Sequence, residues 1–146
     1  MKAMSKYLYL FTILLITLAA CSNSDEPIID ENLLGVVWRV DTLQTLEEEI
    51  VPGPDTLMTI QFTKNLEVSG KVICNTYSGI YEISKEVSLS AEVFTWTEIA
   101  CGGERLWVLH GFFINALENI TAYEVDEDRL ILYDSDRHYV VKLNQE

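Results

Sequence analysis

The sequence predicts a mostly β protein: a small antiparallel β-barrel of about eight strands with one α-helix. Three observations predict it. Short runs of alternating apolar and polar residues, rich in β-branched and aromatic side chains, recur between residues 36 and 143,. One stretch, residues 103–118, changes to the helical period,. An open sheet of so many short strands in about 110 residues would expose long edges, and curling into a barrel removes most of them.

The elements follow in order. Residues 36–42 (VVWRVDT) alternate, with Trp38 and Val40 on one face. Residues 43–56 hold Glu47, Glu48, Glu49 and the Pro52-Gly53-Pro54 triplet, which stops a helix and reads as a loop,. Residues 56–62 point Met58, Ile60 and Phe62 inward, Lys64-Asn65 turn the chain, and residues 66–73 return,. Residues 79–84, 86–91 and 92–99 are further strand-like runs. In GERLWVLHGFFINALE (103–118), Leu106, Leu109, Phe113 and Leu117 recur every three or four residues, and Gly111 is the one poor helix former inside the run,. Residues 120–125, 129–134 and 138–143 are separated by Asp-rich turns, the pattern of a three-strand meander,.

The N-terminus bears on location. Lys2 and Lys6 precede an apolar run over residues 7–18 and then Leu18-Ala19-Ala20-Cys21. The run is short of the roughly 20 residues a membrane-spanning helix needs and suits a secretory signal. Small residues before a cysteine resemble a bacterial lipobox. That resemblance implies a signal peptide over 1–20, cleavage before Cys21, and acylation there with palmitate-type chains. Each buried CH₂ adds about 0.8 kcal/mol of membrane affinity. Residues 21–32 then read as a flexible acidic tether, and the expected address is the outer membrane, on its periplasmic or its outward face.

Removing residues 1–20 takes away two of the 10 Lys and Arg and none of the 23 Asp and Glu, changing the formal charge from −13 to −15. Nucleic acid is excluded as a partner, because phosphate contacts need a basic stripe. Docking directly onto anionic lipid is disfavoured as well.

The stretch VICNTYSGIYEI (72–83) contains Cys74, which could be a nucleophile, a metal ligand or half of a disulfide. With Cys21 acylated, Cys74 and Cys101 remain, and outside the cytoplasm two thiols favour a Cys74–Cys101 disulfide. A nucleophile would need a base, and His110 and His138 are the two histidines. No His-x-His, His-x₃-His or Cys-x₂-Cys spacing occurs, so no metal and no cofactor is expected,. The carboxylates of Asp126, Glu127 and Asp128, and of Asp134 and Asp136, read as polar hairpin turns. Asn75 reads as a backbone hydrogen-bonder, and Tyr77, Tyr81, Trp96 and Trp107 as core aromatics first and as the lining of a cavity mouth second. Two Asp-Thr-Leu triplets resemble a periplasmic O-glycosylation acceptor, at Thr42 and Thr56. The second is the better placed, beside the Pro-Gly-Pro loop.

Over residues 33–146 the order of motifs resembles the META domain family. The residues are Gly35 and Trp38; Cys74, Asn75, Gly79 and Tyr81; Thr97, Ala100 and Cys101; Glu104; then Leu117 and Tyr123. The resemblance implies a lipocalin-like barrel with a helix, no established enzymology, and a loose link to envelope stress tolerance. One departure is Ile73, where the family usually has glycine before the first cysteine. If that glycine takes a positive φ, Ile73 is strained. No acid/base constellation is evident, so the expectation is a non-enzymatic, lipid-anchored binding or assembly module acting on an envelope protein. The alternative is a carrier of a small apolar ligand inside the barrel. A carrier needs an empty interior, and a scaffold fills it.

Overall fold

The structure, a computed structural model, describes residues 29–84, 88–100, 102–136 and 138–146, with the backbone alone for Phe94 and Tyr139. A 3-10 turn at Glu31–Leu33 leads into β1 (Val37–Gln44), β2 (Glu49–Ile50), β3 (Thr59–Phe62), β4 (Glu67–Val72), β5 (Asn75–Ser84) and β6 (Ser88–Trp96). Helix α1 (Glu104–Glu118) follows, then β7 (Ala122–Asp126), β8 (Arg129–Tyr133) and β9 (Tyr139–Gln145). Among the described residues the strands form one antiparallel sheet, and β9 pairs back onto β1. Eight strands therefore close a barrel, with β2 appended outside the ring on the end of β1.

The predicted elements are present with three differences. Where two runs were expected over 86–91 and 92–99, residues 88–96 are one strand, β6, because its register on β5 continues from Ser84↔Ser88 to Tyr77↔Trp96 across a bulge at Ser78/Gly79; residues 86 and 87 lie outside the described residues. The turn-rich look of residues 75–78 is misleading: they pair with Val72 back to Ser69 as the first half of β5. The loop after β1 carries the two-residue strand β2. Gly79 sits at the β5–β6 bulge, where the missing side chain eases the local kink,.

β5–β6 and β7–β8 pair along their lengths, and among the described residues, which leave out 85–87, β6 meets β7 at Ser88↔Ala122. Beside it the Leu89 amide donates to the Thr121 carbonyl, 3.1 Å away. α1 packs along β6 and the 3-10 turn packs on β7. The helix buries Leu109, Phe113, Ile114, Ala116 and Leu117, and sets Phe113 edge-on to Tyr77 at 5.8 Å. In the 3-10 turn Leu33 is fully buried and its carbonyl accepts from Trp38 Nε1 at 3.3 Å.

The interior is filled by large side chains. Trp38, Phe62, Tyr81, Phe113, Met58, Ile60 and several leucines are fully buried. Phe62 and Tyr81 meet edge to face at 5.1 Å, a geometry aromatic pairs prefer,. Met58, Ile60 and Phe62 all face in, as the alternation predicts. Trp96 and Trp107 do not: each is about 40% exposed, because one lies at the outer end of β6 and the other on the water-facing side of α1.

Gly70 makes one interior contact possible. A Cβ there would lie 1.9 Å from the Thr59 carbonyl oxygen and 2.7 Å from the Tyr77 hydroxyl. Its absence lets the Tyr77 hydroxyl reach Thr59 O at 2.8 Å. Gly111, in the middle of α1, has nothing within 4 Å of a Cβ. Gly70→Ala is therefore expected to lower unfolding free energy by about 2–3 kcal/mol through overpacking. Gly111→Ala is expected to raise it by about 1 kcal/mol through helix propensity. Chemical denaturation of the two variants checks the contrast, and equal effects would contradict it.

Candidate functional site

The residues singled out by sequence converge where β4 turns into β5 and where the chain leaves β6 for α1. Val72 pairs with Asn75, so Ile73 and Cys74 form a two-residue hairpin turn. Ile73 has φ 61° and Cys74 is not left-handed, the pattern of a type II′ turn, whose first central position favours glycine,. The strain expected at Ile73 is thus real. The turn keeps its shape because the Ile73 amide donates to Leu57 O at 2.7 Å and its side chain packs against the core. A β-branched residue in that region is strained by about 1–2 kcal/mol.

Asn75 begins β5 and is 1% exposed. Its Oδ1 accepts from the Ile99 amide at 2.7 Å and from Thr97 Oγ1 at 2.8 Å, and its Nδ2 donates to Ile99 O at 3.2 Å. Thr97 continues the ladder: its amide donates to Thr76 O at 3.0 Å, and its hydroxyl accepts from the Thr76 amide at 3.1 Å. One side chain thereby fastens a segment 24 residues away just before it enters the helix. Both lone pairs of Oδ1 are occupied, which leaves that oxygen no capacity for a substrate. Cys74 Sγ lies 3.7 Å from Ile99 O, against the same segment. Cys101 and Cys21 lie outside the described residues.

The remaining candidates have structural surroundings. Tyr81 donates to Thr63 O at 2.6 Å, tying β5 to the β3–β4 turn. Burial pushes the Tyr77 hydroxyl well above its ordinary value of 10 and also raises Tyr81 and Tyr123. Glu104 is exposed at the first position of α1, where a carboxylate complements the helix dipole,. Asp134 Oδ1 accepts from the Asp136 and His138 amides at 2.9 and 3.0 Å, so that carboxylate holds the β8–β9 turn. Asp126, Glu127 and Asp128 lie at the β7–β8 turn. Among the described residues no three His, Cys, Asp or Glu gather as metal ligands. Thr42 is buried in β1 with its hydroxyl on Asp41, whereas Thr56 is half-buried on a loop.

Sequence reading missed three features. Gly70 gave no signal, since its role depends on the strand opposite. Ile99 gave none either, because it contributes only its backbone. His110 was readable as a helical residue, but not as one 7% exposed with Nε2 unpartnered and its ring on Trp107 at 5.6 Å.

Two outcomes follow. Asn75→Ala removes the hydrogen bonds to Thr97 and Ile99 and is expected to lower unfolding free energy by about 2 kcal/mol, water recovering part of the loss at the exposed segment,; a change under about 0.5 kcal/mol in urea melts would contradict the latch. Burial lowers the pKa of His110 below 6.5. The unfolded chain then binds more protons than the folded one as pH falls. The stability that neutral His110 allows is complete above pH 6.5 and is lost as pH falls through the lowered value,. His110→Phe is expected to flatten the stability profile in that window, and an unchanged acid slope would contradict the assignment.

The comparisons agree with this architecture. A solved structure from Burkholderia xenovorans is 19% identical, covering 87% of this chain and 96% of that one, with a TM-score of 0.62. A DUF4847 family protein from Bacteroides vulgatus is 15% identical, covering 77% and 93%, with a TM-score of 0.56. A further NMR structure is 17% identical, covering 80% and 95%, with a TM-score of 0.57. At these identities the likeness is one of fold. No curated protein matches the chain. Neither META nor DUF4847 is a known enzyme family. The META domain profile matches residues 31–146, covering the whole barrel and its helix, and the chain belongs to the META domain family.

Proposed function

We propose that the mature protein is a lipid-anchored envelope module that binds or assembles other proteins without catalysis. The observation that carries this reading is the filled interior: Trp38, Phe62, Tyr81 and Phe113 occupy the space a carrier would leave for its ligand,. Two cavities, of about 270 and 220 Å³, lie on the outside. One is lined by residues of β5 and β6, the other by the Pro52–Pro54 loop against β1 and β9. Asn75, Tyr81 and Thr97, polar side chains in motif positions, are engaged with backbone, which supports a scaffold over an enzyme.

In this reading Cys21 carries the acyl chains, holds the domain at the outer membrane and raises its local concentration there. A Cys74–Cys101 disulfide locks the turn to the segment that Asn75 already fastens. Its support is the packing of Cys74 against Ile99, two residues before Cys101. By the chain-entropy model such a bond adds roughly 3–4 kcal/mol.

The test has two parts. Metabolic labelling with an alkyne-tagged palmitate in the native host is expected to mark the protein and to lose the mark in Cys21→Ser; labelling that survives the substitution sinks the anchor. Native mass spectrometry of periplasmically secreted residues 22–146 with envelope lipid extract is expected to give a mass two hydrogens below the reduced form and no adduct. A retained lipid would shift the reading to a carrier, and two free thiols would remove the disulfide.

A further inference from the structure

The chain carries Asp-Thr-Leu twice, and the fold treats the two copies differently. Thr42 of the first copy is 5% exposed in β1, opposite Lys142 of β9, and its hydroxyl is occupied by Asp41 Oδ2 at 3.0 Å. An enzyme could reach it only by opening the strand ladder. The second copy, Asp55-Thr56-Leu57, lies in no named strand. It leaves a tight turn in which the Thr56 amide donates to the Gly53 carbonyl at 2.9 Å. Pro54 takes the second position of that turn, where its fixed φ fits,. Arg39 Nη2 pins the turn to β1 by donating to the Pro54 carbonyl at 3.2 Å. Gly53, Pro54 and Asp55 are exposed. The second triplet is therefore presented on a fixed surface loop, which an enzyme can grip without unfolding the barrel.

The side chains of the second copy are also unengaged. Among the described residues neither the Thr56 hydroxyl nor the Asp55 carboxylate has a hydrogen-bond or ion-pair partner. The Thr56 oxygen is not sealed from solvent. Thr56 lines the groove of about 220 Å³ between the loop and strands β1 and β9, together with Asn144 and Gln145. There is open space beside the hydroxyl, edged by two amide residues that can both donate to and accept from sugar hydroxyls.

The surrounding charges favour a neutral adduct over a phosphate. Asp41 lines the same groove and Asp55 precedes the acceptor. Arg39, the cation in the groove lining, already donates to Pro54 O. A phosphate on Thr56 would bring about two further negative charges beside those carboxylates, in a chain of formal charge −13,.

We propose that Thr56 is the attachment point of an O-linked glycan, added by a separate envelope transferase that reads Asp55-Thr56-Leu57. The Thr56 Oγ1 bonds to the anomeric carbon of a sugar carried on a phosphate donor. The bond from that carbon to the phosphate oxygen breaks, the phosphate leaves with the electron pair, and the hydroxyl proton passes to a base of the transferase. Asp55 is a recognition residue, its carboxylate free to be held by the enzyme. The proposal rests on the envelope location proposed above, because the triplet resembles a periplasmic acceptor.

The test purifies the full chain, with a C-terminal affinity tag, from the native host and records its intact mass and its electron-transfer fragment spectra. The expected result is an added mass of whole sugar residues on Thr56. It should be retained in Thr56→Ser, which keeps the hydroxyl, and lost in Thr56→Val and in Asp55→Asn, with all three variants folded by circular dichroism. A chain cleaved before Cys21 and bare at Thr56 overturns the site and leaves the envelope reading standing. A chain that keeps residues 1–20 and is bare at Thr56 removes both. Sugar found only at Thr42 or elsewhere overturns the assignment, a phosphate mass at Thr56 overturns the glycan, and full modification of Asp55→Asn overturns the triplet as the recognition element.

Discussion

The side chain of Asn75 is the latch on which the placement of the helix depends. It fixes residues 97–99, which lead the chain from the end of β6 toward α1. The helix then packs along β6 and sets Phe113 against Tyr77 of β5, the strand that Asn75 begins, so one strand carries both the latch and the aromatic contact. At the seam between β6 and β7 Ser88 lies opposite Ala122, and the 3-10 turn packs on β7.

This arrangement divides the molecule into an interior that is spent on stability and an exterior free for recognition. The aromatic interior, with Tyr81 set on Phe62 and Phe113 on Tyr77, leaves the barrel as a rigid support. Two polar groups that could have done chemistry hold backbone instead: Asn75 binds a distant strand extension and Asp134 holds its own turn. His110 is buried against Trp107 with its Nε2 unpartnered.

The fold was legible because its signals are local. Alternation marked the inward faces of β1 and β3, and the helical period marked α1 within one residue of its start. Strand breaks were less legible. Residues 75–78 look like a turn because Asn, Ser and Gly are turn formers, yet cross-strand pairing with β4 overrides that preference,. The candidate site was half legible. The cysteine and asparagine positions could be named, and the glycine-to-isoleucine departure pointed correctly to a left-handed backbone at Ile73. The partners of Asn75 could not be named, because the atoms it binds belong to the backbone of Ile99 and carry no sequence signature. Trp96 and Trp107 were misread as core for a related reason: hydrophobicity does not report which side of an element meets water.

The 3-10 turn has a mechanical consequence. The chain enters the barrel at Asp30, whose carboxylate accepts from the Asn32 amide, and it is pinned immediately afterwards by buried Leu33 and by the Trp38–Leu33 hydrogen bond. Leu34 then lies parallel to Phe62 and Gly35 donates to Phe62 O. Tension drawn through the N-terminal segment is therefore borne first by this clasp, in shear along the parallel Leu34–Phe62 contact. The same clasp packs on β7. A pull strong enough to lift Leu33 out of its socket would strip that contact before it strained the helix, making the N-terminal turn the molecule's mechanical fuse.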